Sequence, residues 1–300
     1  MSTVATLNNV TADGIDIFYR EAGPADAPVL LLLHGFPSSS FMFRNLIPLL
    51  ATTYRLIAPD LPGFGFTTVP ASRGYNYTFA NFGTTLGAFV DALNIEKYSM
   101  YIFDYGAPAG LRLALERPEN VTAIVTQNGN AYDAGFGQEF WAPIFKYWKS
   151  GSQADRNALR SLLKLNITEY QYLAGSPHPN SIDPATYHLD QTLLDRPGID
   201  EIMLDLFYDY RTNPEVYPDF HKYFRSSEVP VLAVWGKNDP AFIPPGAEAY
   251  RRDVKPENFE LHFLDAGHFA LETNEIAMAD YIRSFFTKHG ITGKYKLTGN

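Results

Sequence analysis

The sequence predicts an α/β protein: a mostly parallel, doubly wound sheet whose two halves are separated by a helical insertion. Three observations predict it. Short apolar runs such as "PVLLLL" and "YSMYIF" are closed by turn residues, as strands buried on both faces are. Segments with helical spacing stand between them, which calls for right-handed crossovers joining parallel strands. Strand signals then lapse from about residue 131 to residue 227 and resume with "VPVLAVWG".

The elements succeed one another along the chain. "GIDIFYREAG" alternates and ends in turn residues, so it reads as a leading antiparallel strand. "APVLLLLHG" is a buried strand, "FRNLIPLLATT" has helical spacing despite Pro48, and "YRLIAPDLPG" is a second buried strand. "YTFANFGTTLGAFVDALNI" reads as a helix, "YSMYIFD" as a strand, "GAPAGLRLALERPEN" as a helix and "VTAIVTQNG" as a strand. Helical segments such as "QADRNALRSLLKL" and "DEIMLDLFYDYR" fill the insertion, between Pro- and Gly-rich connections. Strands "VPVLAVWG" and "FELHFLDAG" and a helix over "IAMADYIRSFFTKH" complete the core. The expected division is a core of residues 1–130 and 228–300 and a helical cap of residues 131–227, with a frayed tail over residues 290–300.

Composition bounds what such a chain does. Of 300 residues, 46% are hydrophobic and 19% charged, enough for a large core in an ordinary globular protein. The net charge of −9 argues against nucleic acid and anionic membrane surfaces as partners. With no cysteine, disulfides, thiolate metal sites and a cysteine nucleophile are excluded. The first residues lack a basic segment followed by a long apolar one, so no signal peptide is read and a cytoplasmic location is expected. The histidines show no metal-ligand spacing, and "GFGFTT" is not a dinucleotide fingerprint, so no metal and no cofactor are expected. A homodimer is left open.

In an open α/β sheet, ligands lie beyond the carboxyl ends of the strands. There the sequence places His34-Gly35-Phe36-Pro37, Asp104-Tyr105-Gly106, Gly236-Lys237-Asn238-Asp239 and Gly267-His268-Phe269. Carboxylate, carboxylate, histidine is the order nucleophile, acid, base. "IFDYG" stands where a sharp strand-to-helix turn would raise a nucleophile. Gly106 suits that turn, and Ile102 suits it poorly. His34 reads as structural and Asp60, in "APDLPG", as a turn residue. With "HGFPSSSFMFRNLIPLL", "APDLPGFG" and "DAGHFALE", the chain resembles the α/β-hydrolase fold in its epoxide hydrolase and haloalkane dehalogenase branch, over roughly residues 15–135 and 225–288.

The residue types fit that chemistry on their own terms. An aspartate is already ionised at neutral pH and needs no base to become a nucleophile. It suits attack on a tetrahedral carbon bearing a leaving group, which yields an alkyl ester on Asp104. His268 would then deprotonate the water that hydrolyses the ester, and Asp239 would fix the imidazole tautomer. The Phe36 and Tyr105 N–H groups would hold the oxyanion.

The leaving group is read from the cap. The epoxide hydrolase resemblance implies two cap tyrosines that donate to the epoxide oxygen. "DYRTN" nominates Tyr210 for one. The other falls on Ile144, one helical turn from Tyr147, which is nominated in its place. Haloalkane dehalogenases usually carry tryptophan after the nucleophile, where this chain has Tyr105, although Trp141 and Trp148 offer indole N–H groups in the cap. The sequence therefore favours opening of an epoxide to a vicinal diol, with a small apolar or aromatic substrate held against Trp141 and Trp148. Carbon–halogen hydrolysis is the alternative, and a ligand-binding or non-hydrolytic member of the fold is a third.

Overall fold

The computed structural model describes residues 3–292; of the tail expected over residues 290–300, residues 293–300 lie outside the described residues. The strands are β1 (Thr6–Ala12), β2 (Ile15–Ala22), β3 (Val29–Leu33), β4 (Arg55–Pro59), β5 (Tyr98–Phe103), β6 (Val121–Gln127), β7 (Val231–Gly236) and β8 (Phe259–Leu264). They form one sheet in the order β1-β2-β4-β3-β5-β6-β7-β8. β1 and β2 are antiparallel, β2 runs antiparallel to β4, and every pairing from β4 to β8 is parallel.

Alternation along the strands makes two cores. Leu31 and Leu33 of β3 point into one, and Leu30 and Leu32 into the other; all four are fully buried. Covering the sheet are α1 (Leu46–Leu50), α2 (Phe79–Ala92), α3 (Gly106–Glu116), α10 (Pro244–Ala249) and α11 (Leu271–Lys288). α2 and α3 belong to the first face, and α1 and α11 to the second.

Three elements differ from expectation. β1 is an additional strand. Its residues are mostly polar and half-exposed or exposed, so it has no buried alternation to announce it. Asp13 and Gly14 join it to β2 with φ of 52° and 70°, the geometry of a tight hairpin. α1 is a five-residue helix after a 3-10 turn. The helix expected over "QADRNALRSLLKL" breaks at Ala158 and continues as a 3-10 turn.

Between β6 and β7 the chain makes α4 (Gln138–Ser150), α5 (Gln153–Ala158), α6 (Leu165–Leu173), α7 (Pro184–Leu194), α8 (Ile199–Asp209) and α9 (Thr212–Ser227). This helical insertion crosses the carboxyl edge of the sheet. Arg156 ties α5 to α8 through Glu201 and Asp205, each at 2.7 Å. Among the described residues no helix is long and apolar enough to cross a membrane.

Candidate active site

The end of β5 sets the geometry. Asp104 follows Phe103 with φ of 46°, a left-handed conformation costly for any residue but glycine. The strain turns the chain sharply from β5 into α3. The turn leaves no room for a side chain at Gly106, whose Cβ would collide with the Leu33 carbonyl. Ile102, bulky where a small residue is expected, is accommodated from the helix side. A Cβ at Gly110 would lie 2.9 Å from Ile102 Cγ2 and 2.8 Å from Leu33 Cδ1. The missing small residue on the strand is thus offset by a glycine one turn into α3.

Asp104, His268 and Asp239 come together as a buried triad-like chain. His268 Nδ1–H donates to Asp239 Oδ2 at 2.7 Å, and its Nε2 faces Asp104 Oδ2 at 3.7 Å. The Phe36 N–H donates to Asp104 Oδ1 at 2.6 Å, and the Tyr105 N–H also bonds this carboxylate. Oδ1 is therefore held by the Phe36 N–H while Oδ2 faces the imidazole. Burial raises the Asp104 pKa to about 6, against the opposing pull of His268 and the two N–H groups. Burial works against the charged form of His268, but Asp239 and its hydrogen bond, then Asp104, hold its pKa above the ordinary value.

Asn128, which the sequence reading passed over, completes the support. It follows β6 with φ of 45°. Its Nδ2 donates to Asp239 Oδ2 at 2.7 Å and its Oδ1 accepts the Gly236 N–H at 2.9 Å. The Ala241 N–H donates to Asp239 Oδ1 at 2.7 Å. Both oxygens of the acid are thus fixed. The preceding residue, Gln127, donates to the His268 carbonyl at 2.9 Å. The strand-end rule that singled out Asp104 and Asp239 also applies to "VTAIVTQNG", so Asn128 was findable in the sequence.

Two polar residues nearby have other tasks. His34 is buried and neutral: its Nδ1–H donates to the Gly35 carbonyl at 3.0 Å and its Nε2 accepts the Leu61 N–H at 2.9 Å. Burial, first among the causes, lowers its pKa. Asp60 accepts the N–H groups of Ser40 at 2.7 Å and Phe66 at 2.8 Å, which pins two loops together.

A narrow cavity opens above Asp104 and His268. Phe36, Tyr105, Trp141, Ile144, Leu162 and Phe207 supply much of its wall. Three nominated cap residues stand elsewhere. Tyr147 is turned away from the cavity; its hydroxyl accepts from Arg156 at 3.3 Å and its ring packs on Tyr208. Ile144 occupies the wall position instead. Trp148 lies behind the wall, stacked on Tyr210. Tyr210 is likewise one layer back, with its ring against those of Trp141, Phe79 and Tyr105. Its buried hydroxyl interacts with that of Tyr217, and the charge of Asp104 also acts on it. Trp141 does line the cavity, but with its ring. Each indole N–H is committed to a main-chain carbonyl: Trp141 to Ala241 at 2.9 Å, Trp148 to Phe207 at 2.6 Å and Trp235 to Phe242 at 2.7 Å.

A buried aspartate–histidine–aspartate chain at the carboxyl edge of such a sheet, under a helical insertion, defines an α/β-hydrolase architecture. Residues 28–275 match the model of the alpha/beta hydrolase fold, and the chain belongs to that family. It is 50% identical over 282 residues to the uncharacterized hydrolase YNR064C of Saccharomyces cerevisiae, covering 92% of this chain and 95% of that one. A haloalkane dehalogenase of Psychrobacter cryohalolentis is 36% identical over 142 residues, 46% of this chain and 44% of that one. Among solved structures, the epoxide hydrolase CorEH superposes with a TM-score of 0.76 over 94% of this chain and 99% of that one, at 21% identity. That likeness speaks for the fold alone.

Proposed function

We propose that this α/β-hydrolase opens an epoxide to a vicinal diol through an alkyl ester on Asp104. In the first step, Asp104 Oδ2 attacks a ring carbon, the carbon–oxygen bond breaks, and its electron pair goes to the epoxide oxygen. A phenol then protonates the alkoxide. Tyr105, on the cavity wall, is assigned that donation. The charge of Asp104 acts on both Tyr105 and Tyr210, whose pKa values burial already raises, so Tyr210 stands as a second phenol behind the first. In the second step, His268 Nε2 takes a proton from water, which attacks the ester carbon. The Phe36 and Tyr105 N–H groups that now bond the Asp104 carboxylate receive the oxyanion. Collapse releases the diol, and the proton on His268 restores the phenol. Esterification erases the charge of Asp104, one of the influences that raise the His268 pKa. Forming the intermediate therefore lowers the His268 pKa and keeps the imidazole unprotonated for the step in which it must accept a proton.

The observation that carries the choice of leaving group is the commitment of every indole N–H to a main-chain carbonyl. A departing halide needs such donors, whereas an alkoxide needs a proton. The match to a haloalkane dehalogenase over 46% of the chain favours halide displacement as a second reading. His268→Gln separates the two. Turnover is expected to fall by roughly 10²- to 10⁴-fold, while mass spectrometry finds the epoxide covalently attached to the Asp104 peptide. An adduct formed from alkyl halides but never from epoxides would reverse the choice. Tyr105→Phe is expected to slow epoxide opening by about 10²-fold and to leave halide release, if any is measured, little changed.

A further inference from the structure

Gln171 is a polar residue of the cavity wall to which the two-step chemistry assigns no task. It lies on α6, one turn after Ile167, and both residues line the cavity. It is 7% exposed, and its carboxamide makes no hydrogen bond to any described residue. The neighbouring face of the same helix is fully engaged: Thr168 donates to Gln191 Oε1 at 2.8 Å and Tyr172 to Asp190 Oδ2 at 2.5 Å. The missing partner is therefore particular to the residue that faces the cavity.

The position of Gln171 over the site is firmly set. The Tyr172 ring stacks on Phe269, the residue after His268, at 3.8 Å and 11°. The chain just past α6 presses on the histidine loop so closely that Gly267 has no space for a Cβ beside the Ala174 carbonyl. Asn238 Nδ2 donates to the Gly175 carbonyl at 2.9 Å. The loops that carry His268 and Asp239 thus clamp the end of α6, and Gln171 is held on the histidine side of an otherwise apolar wall.

We infer that Gln171 is a specificity-determining residue that hydrogen-bonds a second oxygen function, a hydroxyl or carbonyl, on the substrate. The inference deepens the proposed function by naming the substrate class: oxygenated epoxides rather than hydrocarbon ones. In the free site the carboxamide has only water to bond. A hydrocarbon substrate expels that water and leaves a buried amide unpaired, which is costly. A substrate with a hydroxyl or carbonyl replaces the water bond for bond. A site built around such a group discriminates strongly against analogues that lack it.

Two experiments test this. The first uses inert ligands and calorimetry, so it does not depend on turnover: a primary alcohol and the alkane-chain analogue with methyl in place of hydroxyl. Wild type is expected to bind the alcohol roughly five- to tenfold more tightly than the analogue. Gln171→Leu is expected to abolish that preference without weakening the analogue, and Gln171→Glu to keep a preference for the hydroxyl donor. The second compares kcat/KM for an epoxy alcohol and its hydrocarbon counterpart, where Gln171→Leu should lower only the former. Equal loss for both substrates would show that Gln171 serves the hydrolytic water instead, and an absent preference in wild type would also overturn the inference. Should no epoxide react while the alcohol preference persists and depends on Gln171, the epoxide reading fails and the binding role stands.

Discussion

At the residue scale, Asp104 shows what a buried carboxylate costs. A carboxyl that ionises near 6 in the folded chain and near 3.9 in the unfolded one is penalised only in its charged form. The penalty is absent below about pH 4, grows through the window up to about 6, and is complete above it. Asp104→Asn is therefore expected to stabilise the fold by about 3 kcal/mol at pH 7.5 and not at pH 4, as read from denaturant melts. The same ionisation puts the acid limb of kcat/KM near pH 6 in wild type. Asn128 acts in the opposite sense. Asn128→Ala removes one donor from Asp239 and leaves the buried Gly236 N–H unpaired, so stability is expected to drop by about 2 kcal/mol. The looser imidazole should lower kcat more than it raises KM, which steady-state kinetics would show.

At the element scale, the junction of β5 and α3 couples a strand residue to a helix residue. Gly110→Ala places a methyl 2.9 Å from Ile102 Cγ2 and 2.8 Å from Leu33 Cδ1, and overpacking of this kind costs about 1–3 kcal/mol. Ile102→Ala alone empties a fully buried site and costs about 2–5 kcal/mol. The double variant is expected to lose less than the sum by at least about 0.5 kcal/mol, since each change relieves the other; strict additivity would mean that Gly110 serves another purpose. Ile102 looks unsuitable in one dimension because its compensation lies eight residues on. That is the general limit of what was legible in one dimension. Apolar runs announced the interior strands, and the residues just past the carboxyl ends of those runs include Asp104, Asp239 and His268. β1 escaped because an edge strand with polar, half-exposed residues carries no alternation. Tyr147 and Trp148 escaped because their helix is apolar on more than one side, and its partners, not its own spacing, decide which side meets the cavity. Gln171 gave no signal at all: a glutamine on a helix is ordinarily a solvated residue, and only the packing of α6 against the histidine loop buries it.

At the scale of the whole molecule, the insertion and the sheet are joined through a second buried carboxyl. Asp190 on α7 accepts from the Tyr172 hydroxyl on α6, and the Tyr172 ring rests on Phe269 of the core. Burial raises the Asp190 pKa to about 8; the bond from Tyr172 pulls it down, Glu272 pushes it up, Arg44 pulls it down and Asp60 pushes it up. Arg44 is itself paired with Glu272 at 2.7 Å, so its charge is already engaged. Because the folded pKa lies above the unfolded value of about 3.9, the native chain keeps a proton that the unfolded chain releases between roughly pH 4 and pH 8. Stability contributed by the neutral carboxyl is whole below pH 4 and is lost as pH climbs through 8. The alkaline part of that window, from about 6 to 8, lies beyond the reach of Asp104 and belongs to Asp190. Asp190→Asn keeps the shape and the hydrogen bond but cannot ionise. Its melting temperature is expected to match wild type near pH 4 and to exceed it by roughly 10 °C at pH 8.5, with helices α6 and α7 gaining amide-exchange protection at the higher pH. A gap in melting temperature that does not change between the two pH values would mean that Asp190 stays ionised in the fold, and that the joint between insertion and sheet does not titrate.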